Sequence, residues 1–134
     1  PKKLLASFSK VIKNPSLDDI GIKKAAELFV YLKSQGKTPL VIDSDQLLKN
    51  PEVYLHKICN SLDICFTKDM LSWQKGGIKE DGIWARYWYS NVHNSTGFAI
   101  QKTNRETIPQ PLQSVLNEAL IYYTILKTHI LKND

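Results

Sequence analysis

Apolar side chains recur along this chain at helical spacing, in short runs closed by proline, glycine or asparagine. From Pro1 to Lys13 the residues Leu4, Leu5, Phe8, Val11 and Ile12 fall on one stripe with proline in the first turn, which predicts a helix ended by Asn14-Pro15-Ser16. A second helix is predicted from about Ile20 to Ser34, with Ala25, Leu28, Phe29 and Leu32 inward and Gly36 as its stop. Pro39-Leu40-Val41-Ile42 is a continuous apolar run bounded by turn signals, so a buried strand is expected at about 39–43. Asp43-Ser44-Asp45 then opens a short helix through Leu48. Asn50-Pro51-Glu52 predicts the next helix, with Asn as cap and Pro in the first position; it carries Val53, Leu55, Ile58, Cys59 and Leu62 inward.

Thr67 is expected to cap a short helix holding Met70 and Leu71, and Trp84 to Val92 reads as helical with Trp84 and Trp88 one turn apart. Ala99 to Thr107 is polar and reads as a loop. A last helix is predicted from Pro109 or Pro111 to about Leu131, with Leu112, Val115, Leu116, Ala119, Leu120, Tyr123, Leu126 and Ile130 at core spacing. No repeat, low-complexity stretch or linker interrupts the pattern, so residues 1–134 read as one unit. A lone buried strand needs neighbours to pair its N–H and C=O groups. Helix, strand and helix without those neighbours is how the back half of a parallel α/β domain would look. A chain that opens at Pro1 inside a helix start, with no initiator Met, reads as a fragment whose N-terminal portion is missing. The expected class is α/β, mostly helical here.

Composition narrows the partners. The 134 residues with 43% hydrophobic content suit one globular domain. The formal charge of +5 favours an anionic partner, yet the 18 basic residues are scattered in ones and twos, as at Lys2-Lys3 and Lys23-Lys24. That pattern suits a phosphorylated small molecule and not a nucleic-acid arm. Two cysteines, Cys59 and Cys65, are too few for a disulfide framework; they are expected as buried reduced thiols of a cytoplasmic protein. No run reaches the ~18 apolar residues of a membrane span, and no signal peptide is visible.

The densest chemistry lies in Ser72-Trp73-Gln74-Lys75-Gly76-Gly77-Ile78-Lys79-Glu80-Asp81-Gly82-Ile83-Trp84. Glycine reaches φ > 0 cheaply and lets a ligand approach the backbone, so such a loop can turn N–H groups toward an anion, with Lys75 and Lys79 adding positive charge. A plain turn between two helices is the competing reading. Ser7 follows a first turn holding Lys2 and Lys3, where free N–H groups and the helix dipole attract phosphate; a solvated basic face with an ordinary serine competes. Asp43-Ser44-Asp45 stands where a strand would end, either near a ligand or as a helix cap; it lacks a third ligand for a metal. Of His56, His93 and His129, only His93, beside Asn91 and Asn94, is placed to face the glycine loop. Among the aromatics, Trp84 and Trp88 are expected in the core with Arg86 stacked at the edge, and Trp73 stays open between core and ligand.

Taken in order, these pieces resemble the C-terminal half of the sulfotransferase family, P-loop-like three-layer enzymes that use 3′-phosphoadenosine 5′-phosphosulfate (PAPS). In that family an Arg-x-Pro element leads into a helix with a serine six residues after the proline, and Pro1 and Ser7 keep that spacing. The family's late Arg-Lys-Gly and Gly-Asp-Trp loop is similar to Gln74-Lys75-Gly76 and Asp81-Gly82-Ile83-Trp84, with Gln in place of Arg and the Gly-Asp order inverted. A bacterial and plant branch resembles the chain more closely, through Leu71-Ser72-Trp73, Asp81-Gly82, Trp84-Ala85, Trp88-Tyr89, Ser95-Thr96-Gly97-Phe98 and Val41-Ile42-Asp43 with Asn50-Pro51 downstream.

The resemblance covers about residues 1 to 98. It implies that Ser7, Lys75, Gly76 and Gly77 hold the 3′-phosphate of PAPS, that Trp73 and His93 line an acceptor pocket, and that no metal takes part. It also implies that the phosphosulfate loop with its Lys, and the catalytic base, lie upstream. This chain alone is then expected to be inactive, and the complete domain to transfer a sulfuryl group to a hydroxyl or amine. Two other readings stand beside it: a non-catalytic relative that binds a nucleotide or partner, and an unrelated helical interaction module.

Overall fold

Eight α-helices account for nearly all regular structure in the computed structural model, which describes residues 1–100 and 107–132. Two units separate by their contacts; among the described residues the first takes 1–41 and 107–131, and the second 42–100 and 132. The predicted loop at Ala99–Thr107 falls largely outside the described residues.

In the first unit, α1 (Lys2–Phe8) stops earlier than its apolar stripe predicts. Asn14 takes φ 55° and Pro15 is buried, so the chain turns directly into α2 (Leu17–Ile20). Ser16 and Asp19 cap that helix reciprocally: the Asp19 N–H donates to Ser16 Oγ at 3.2 Å, and the Asp19 carboxylate accepts from the Ser16 N–H at 2.7 Å. Those contacts, the Ser16 hydroxyl foremost, hold the Asp19 carboxyl below the usual carboxylate range.

Gly21 at φ 66° then breaks what the sequence predicts as one helix, and α3 (Ile22–Ser34) begins. Gly36 at φ 72° closes it, with Lys37 N–H donating to Leu32 O at 3.0 Å. A one-turn 3₁₀ segment, Gln110–Leu112, leads into the long α8 (Gln113–Lys127).

Packing between these helices makes two small cores. Leu5, Ile20, Leu112, Leu116 and Ala119 form one, flanked by Phe8, Leu17 and Val115. Ala26, Phe29 and Leu126 form the other, flanked by Ile22, Val41 and Tyr122. Of the expected Ala25, Leu28, Phe29 and Leu32, Phe29 is buried, together with Ala26 and beside the half-buried Ile22; Leu28 is 57% exposed, with Val30 and Tyr31 exposed near it. Sequence periodicity alone cannot rank two stripes on one helix.

The expected strand at 39–43 is not formed. Val41 alone pairs, as an isolated parallel bridge to Ile130, with Leu131 N–H donating to Val41 O at 2.9 Å. Pro39 has no N–H to offer a ladder. At the other end Asp43 is drawn into a helix cap. Among the described residues there is no strand, so the α/β expectation is met only by helices and isolated bridges.

In the second unit, Asp43 Oδ1 accepts from the N–H groups of Asp45 at 2.9 Å and Gln46 at 3.1 Å and so caps α4 (Ser44–Lys49). This settles the Asp43-Ser44-Asp45 run as a cap. Helix α5 (Pro51–Ser61) follows with Pro51 in its first position; Asn50 makes no side-chain cap bond, contrary to expectation. Tyr54 and Cys59 are its buried residues, and the Tyr54 hydroxyl accepts from Asp43 N–H at 3.3 Å.

Asp63 at φ 54° turns the chain out of the helix, which leaves Cys65 exposed; only Cys59 is buried as predicted. A 3₁₀ turn at Lys68–Leu71 replaces the expected short helix, and Thr67 makes no side-chain cap bond. The segment predicted as one helix from Trp84 splits into α6 (Ala85–Trp88) and α7 (Ser90–His93), with Tyr89 between them. Neither has a buried residue, and Trp84 is 63% exposed, so it is not core. No helix among the described residues is long and apolar enough to cross a membrane.

Candidate functional site

The glycine-rich loop is held in place at both ends by the segment that follows it. At its base Ser72 and Gly97 form an antiparallel bridge, and Trp73 N–H donates to Thr96 O at 3.1 Å. Gly97 is needed there, because a Cβ would stand 3.1 Å from Leu71 O, a backbone atom that cannot move aside cheaply. The Trp73 indole N–H donates to Val92 O at 3.3 Å, and its ring meets Phe98 edge-on at 5.3 Å. Trp73 is thus a half-buried brace of the loop.

Further along, Gly76 takes φ 114° and its N–H donates to His93 O at 2.8 Å. A 3₁₀ turn at Lys79–Asp81 brings the Asp81 carboxylate back onto the loop, where Oδ2 accepts from Ile78 N–H at 2.8 Å. The same oxygen lies 2.8 Å from His93 Nε2, with the two side chains only 27% and 19% exposed for His93 and Asp81. Gly77 sits against this pair: a Cβ there would stand 3.2 Å from Asp81 Oδ2 and 3.2 Å from His93 Cε1. Tyr89 presents its ring edge to His93 at 6.0 Å.

The Ile78 N–H bond is the main reason why the Asp81 carboxyl lies below the usual carboxylate range; partial burial opposes it, and His93 adds to it. A folded-state pKa below the unfolded one means that this contact stabilises the loop above the ordinary carboxylate range and is lost as pH falls through the depressed value. Amide exchange at Ile78, followed during acid titration, is expected to show protection persisting below pH ~4, near the ordinary aspartate value, and loss only under stronger acid. Release well above that pH would contradict the geometry.

The loop offers an anion less than its glycine content suggests. The amides of Gly76 and Ile78 are committed internally. Those of Lys75 and Gly77 have no hydrogen-bond partner among the described residues, and neither do the exposed ammonium groups of Lys75 and Lys79.

Of the residues singled out by sequence, Trp73, Lys75, Gly76, Gly77 and His93 come together here, in the second unit. Ser7 belongs to the first unit, exposed in the last turn of α1, so the free N–H groups of that helix's first turn are not its neighbours. Arg86 stacks over Tyr87 at 4.7 Å, and His56 and His129 lie against Phe66 and Phe29. Asp81, quoted in the sequence only as part of a motif, is the loop's organising residue. An aspartate three residues after an uncapped N–H, in a segment preceding a lone His, is the signal that could have found it.

Among the described residues, no group of three or more His, Cys, Asp or Glu side chains could hold a metal ion. The family model described as the sulfotransferase domain matches residues 1–130. Two curated proteins of Arabidopsis thaliana are similar to the chain: branched-chain-amino-acid aminotransferase-like protein 1, 39% identical over 97% of this chain and 23% of its own length, and branched-chain-amino-acid aminotransferase-like protein 2, 35% identical over the same shares. The chain spans about a quarter of the length of these relatives. No solved structure matches.

Proposed function

Because the chain belongs to the sulfotransferase-domain family, we propose that it supplies phosphate contacts for PAPS in a domain that transfers a sulfuryl group to a hydroxyl or amine acceptor. Residues 1–134 are then a partial domain of P-loop-like α/β type. Lys75 and Gly77, with Gly76 shaping the turn, contact the 3′-phosphate; Ser7 is taken as a phosphate contact on its spacing after Pro1. Trp73 and His93 shape the neighbouring pocket. The observation that carries this reading is the braced loop, in which the amides of Lys75 and Gly77 and the ammonium groups of Lys75 and Lys79 have no partner among the described residues.

Sulfuryl transfer depends on positioning and on stabilising charge that builds on the bridging oxygen, as phosphoryl transfer does. A rigid phosphate anchor serves the first need. The free Cys59 and Cys65 support a reducing compartment, and a cytoplasmic location goes with this reading.

Calorimetric titration of the complete domain with adenosine 3′,5′-bisphosphate tests the proposal. Ser7→Ala and Lys75→Ala are each expected to weaken binding by about 1–3 kcal/mol, the cost of losing a hydrogen bond to a charged group. Both side chains are exposed, so neither substitution removes core packing. Unchanged affinity in both variants would contradict the assignment.

A further inference from the structure

We infer that Asp81 and His93 together set the charge of the phosphate loop, so that the loop takes up a phosphate anion together with a proton on His93. The inference rests on the donor-binding reading above and adds a control to that same site. Its basis is the position of a carboxylate where an anion is expected. Asp81 Oδ2 is 3.2 Å from where a Gly77 Cβ would stand, and the Gly77 amide has no hydrogen-bond partner among the described residues. An anion on that amide meets the Asp81 charge at short range, which opposes binding.

His93 is the group that can cancel this charge. Its Nε2 lies 2.8 Å from the carboxylate, and among the described residues its side chain makes no other hydrogen bond, so Nδ1 remains open to a proton. With a neutral imidazole the pair carries one negative charge against Gly77. With an imidazolium it carries none.

The charged and titratable groups on the segments packed against His93 are Lys75 on the loop, Lys79, Glu80 and Asp81 on the turn, and Arg86, Tyr87 and Tyr89 on the chain before it. Among the described residues Asp81 is the ion-pair partner of His93. Glycine at 77 lets the backbone lie close to the pair, since a Cβ there would stand 3.2 Å from Asp81 Oδ2 and 3.3 Å from His93 Nε2. By linkage, an anion bound beside the pair favours protonation of His93, and protonation favours the anion by the same factor.

The test is calorimetry of the complete domain with adenosine 3′,5′-bisphosphate at pH 6 and pH 8, the interval in which imidazoles ordinarily change charge. Wild type, His93→Gln and Asp81→Asn are compared, each in two buffers of different ionisation enthalpy. His93→Gln reports the ligand's own titration and serves as the baseline. From pH 6 to pH 8 the wild type is expected to lose about tenfold more affinity than His93→Gln, with a larger proton uptake on binding. At pH 8 Asp81→Asn is expected to bind about tenfold more tightly than wild type, since the asparagine oxygen can still accept from Ile78 N–H while the charge is gone.

A merely structural role for Asp81 predicts the opposite sign. Equal pH dependence in wild type and His93→Gln, or weaker binding by Asp81→Asn, would overturn the inference while leaving the donor site standing. Absence of wild-type binding at both pH values would overturn the donor reading, and this inference with it.

Discussion

Truncating Tyr54 to alanine is expected to cost the second unit roughly 3–5 kcal/mol, the range for deleting a large buried aromatic ring. Tyr54 is fully buried at the centre of α5, and its hydroxyl accepts from the Asp43 N–H that precedes α4. Removing the ring therefore opens a cavity under α5 and frees the residue that caps α4. Tyr54→Phe keeps the ring and loses one neutral hydrogen bond, for which about 0.5–1.5 kcal/mol is expected. Trp73, Trp84 and Trp88 all lie in this unit, so urea denaturation followed by tryptophan fluorescence reads its stability directly. A cost below ~1 kcal/mol for the alanine variant, the level typical of exposed sites, would show that α5 is not anchored through this ring.

Leu5→Ala is expected to destabilise the first unit by roughly 2–5 kcal/mol. Leu5 is fully buried among Ile20, Leu112, Leu116 and Ala119, where it joins α1 to α2 and α8. Under the proposed donor site the effect extends to binding, because α1 also carries Ser7, two residues on and exposed. A loosened α1 lets Ser7 sample many positions, so donor affinity is expected to fall along with stability. Ser7→Ala removes the hydroxyl without touching this core. Far-ultraviolet circular dichroism follows the long helices α3 and α8, and a shift in urea midpoint with unchanged slope gives the cost. A stability cost without any loss of affinity would separate Ser7 from the ligand.

Helices were readable here because their apolar stripes are local: Leu5 in α1, Phe29 in α3, and Leu112, Leu116, Ala119 and Leu126 toward the C-terminus all bury as their spacing predicts. What local spacing could not decide was competition. Pro39 to Asp43 has the composition of a strand, but Asp43 caps α4 and Ile130 pairs with Val41 alone. Ile20 and Ile22 look continuous until Gly21 takes a left-handed conformation. Trp84 has the size of a core residue but precedes a four-residue helix without a fully buried side chain, and is itself 63% exposed. Spacing does not single out Tyr54, because its neighbours Val53 and Leu55 are more apolar, although the tyrosine is fully buried with its hydroxyl accepting from the half-buried Asp43 N–H.

The candidate site was legible as a glycine-rich loop with lysines, and its residues were nameable because glycine and lysine advertise anion chemistry without three-dimensional context. Its brace was not. The hydrogen bonds from Trp73 to Val92 and Thr96, and from Gly76 to His93, join positions 17 or more residues apart, and no periodicity links them. The negative charge that Asp81 places beside Gly77 is likewise a product of the fold, and it reverses part of the electrostatic case that the lysines make.

Recognition of a 3′-phosphate is checked by titrating the complete domain with adenosine 3′,5′-bisphosphate and with adenosine 5′-phosphate. The bisphosphate is expected to bind at least about tenfold more tightly, since loss of a charge-assisted phosphate contact is worth about 1.5–3 kcal/mol, and Lys75→Ala is expected to remove most of the difference. Equal affinity for the two ligands, or no binding of either, would contradict it.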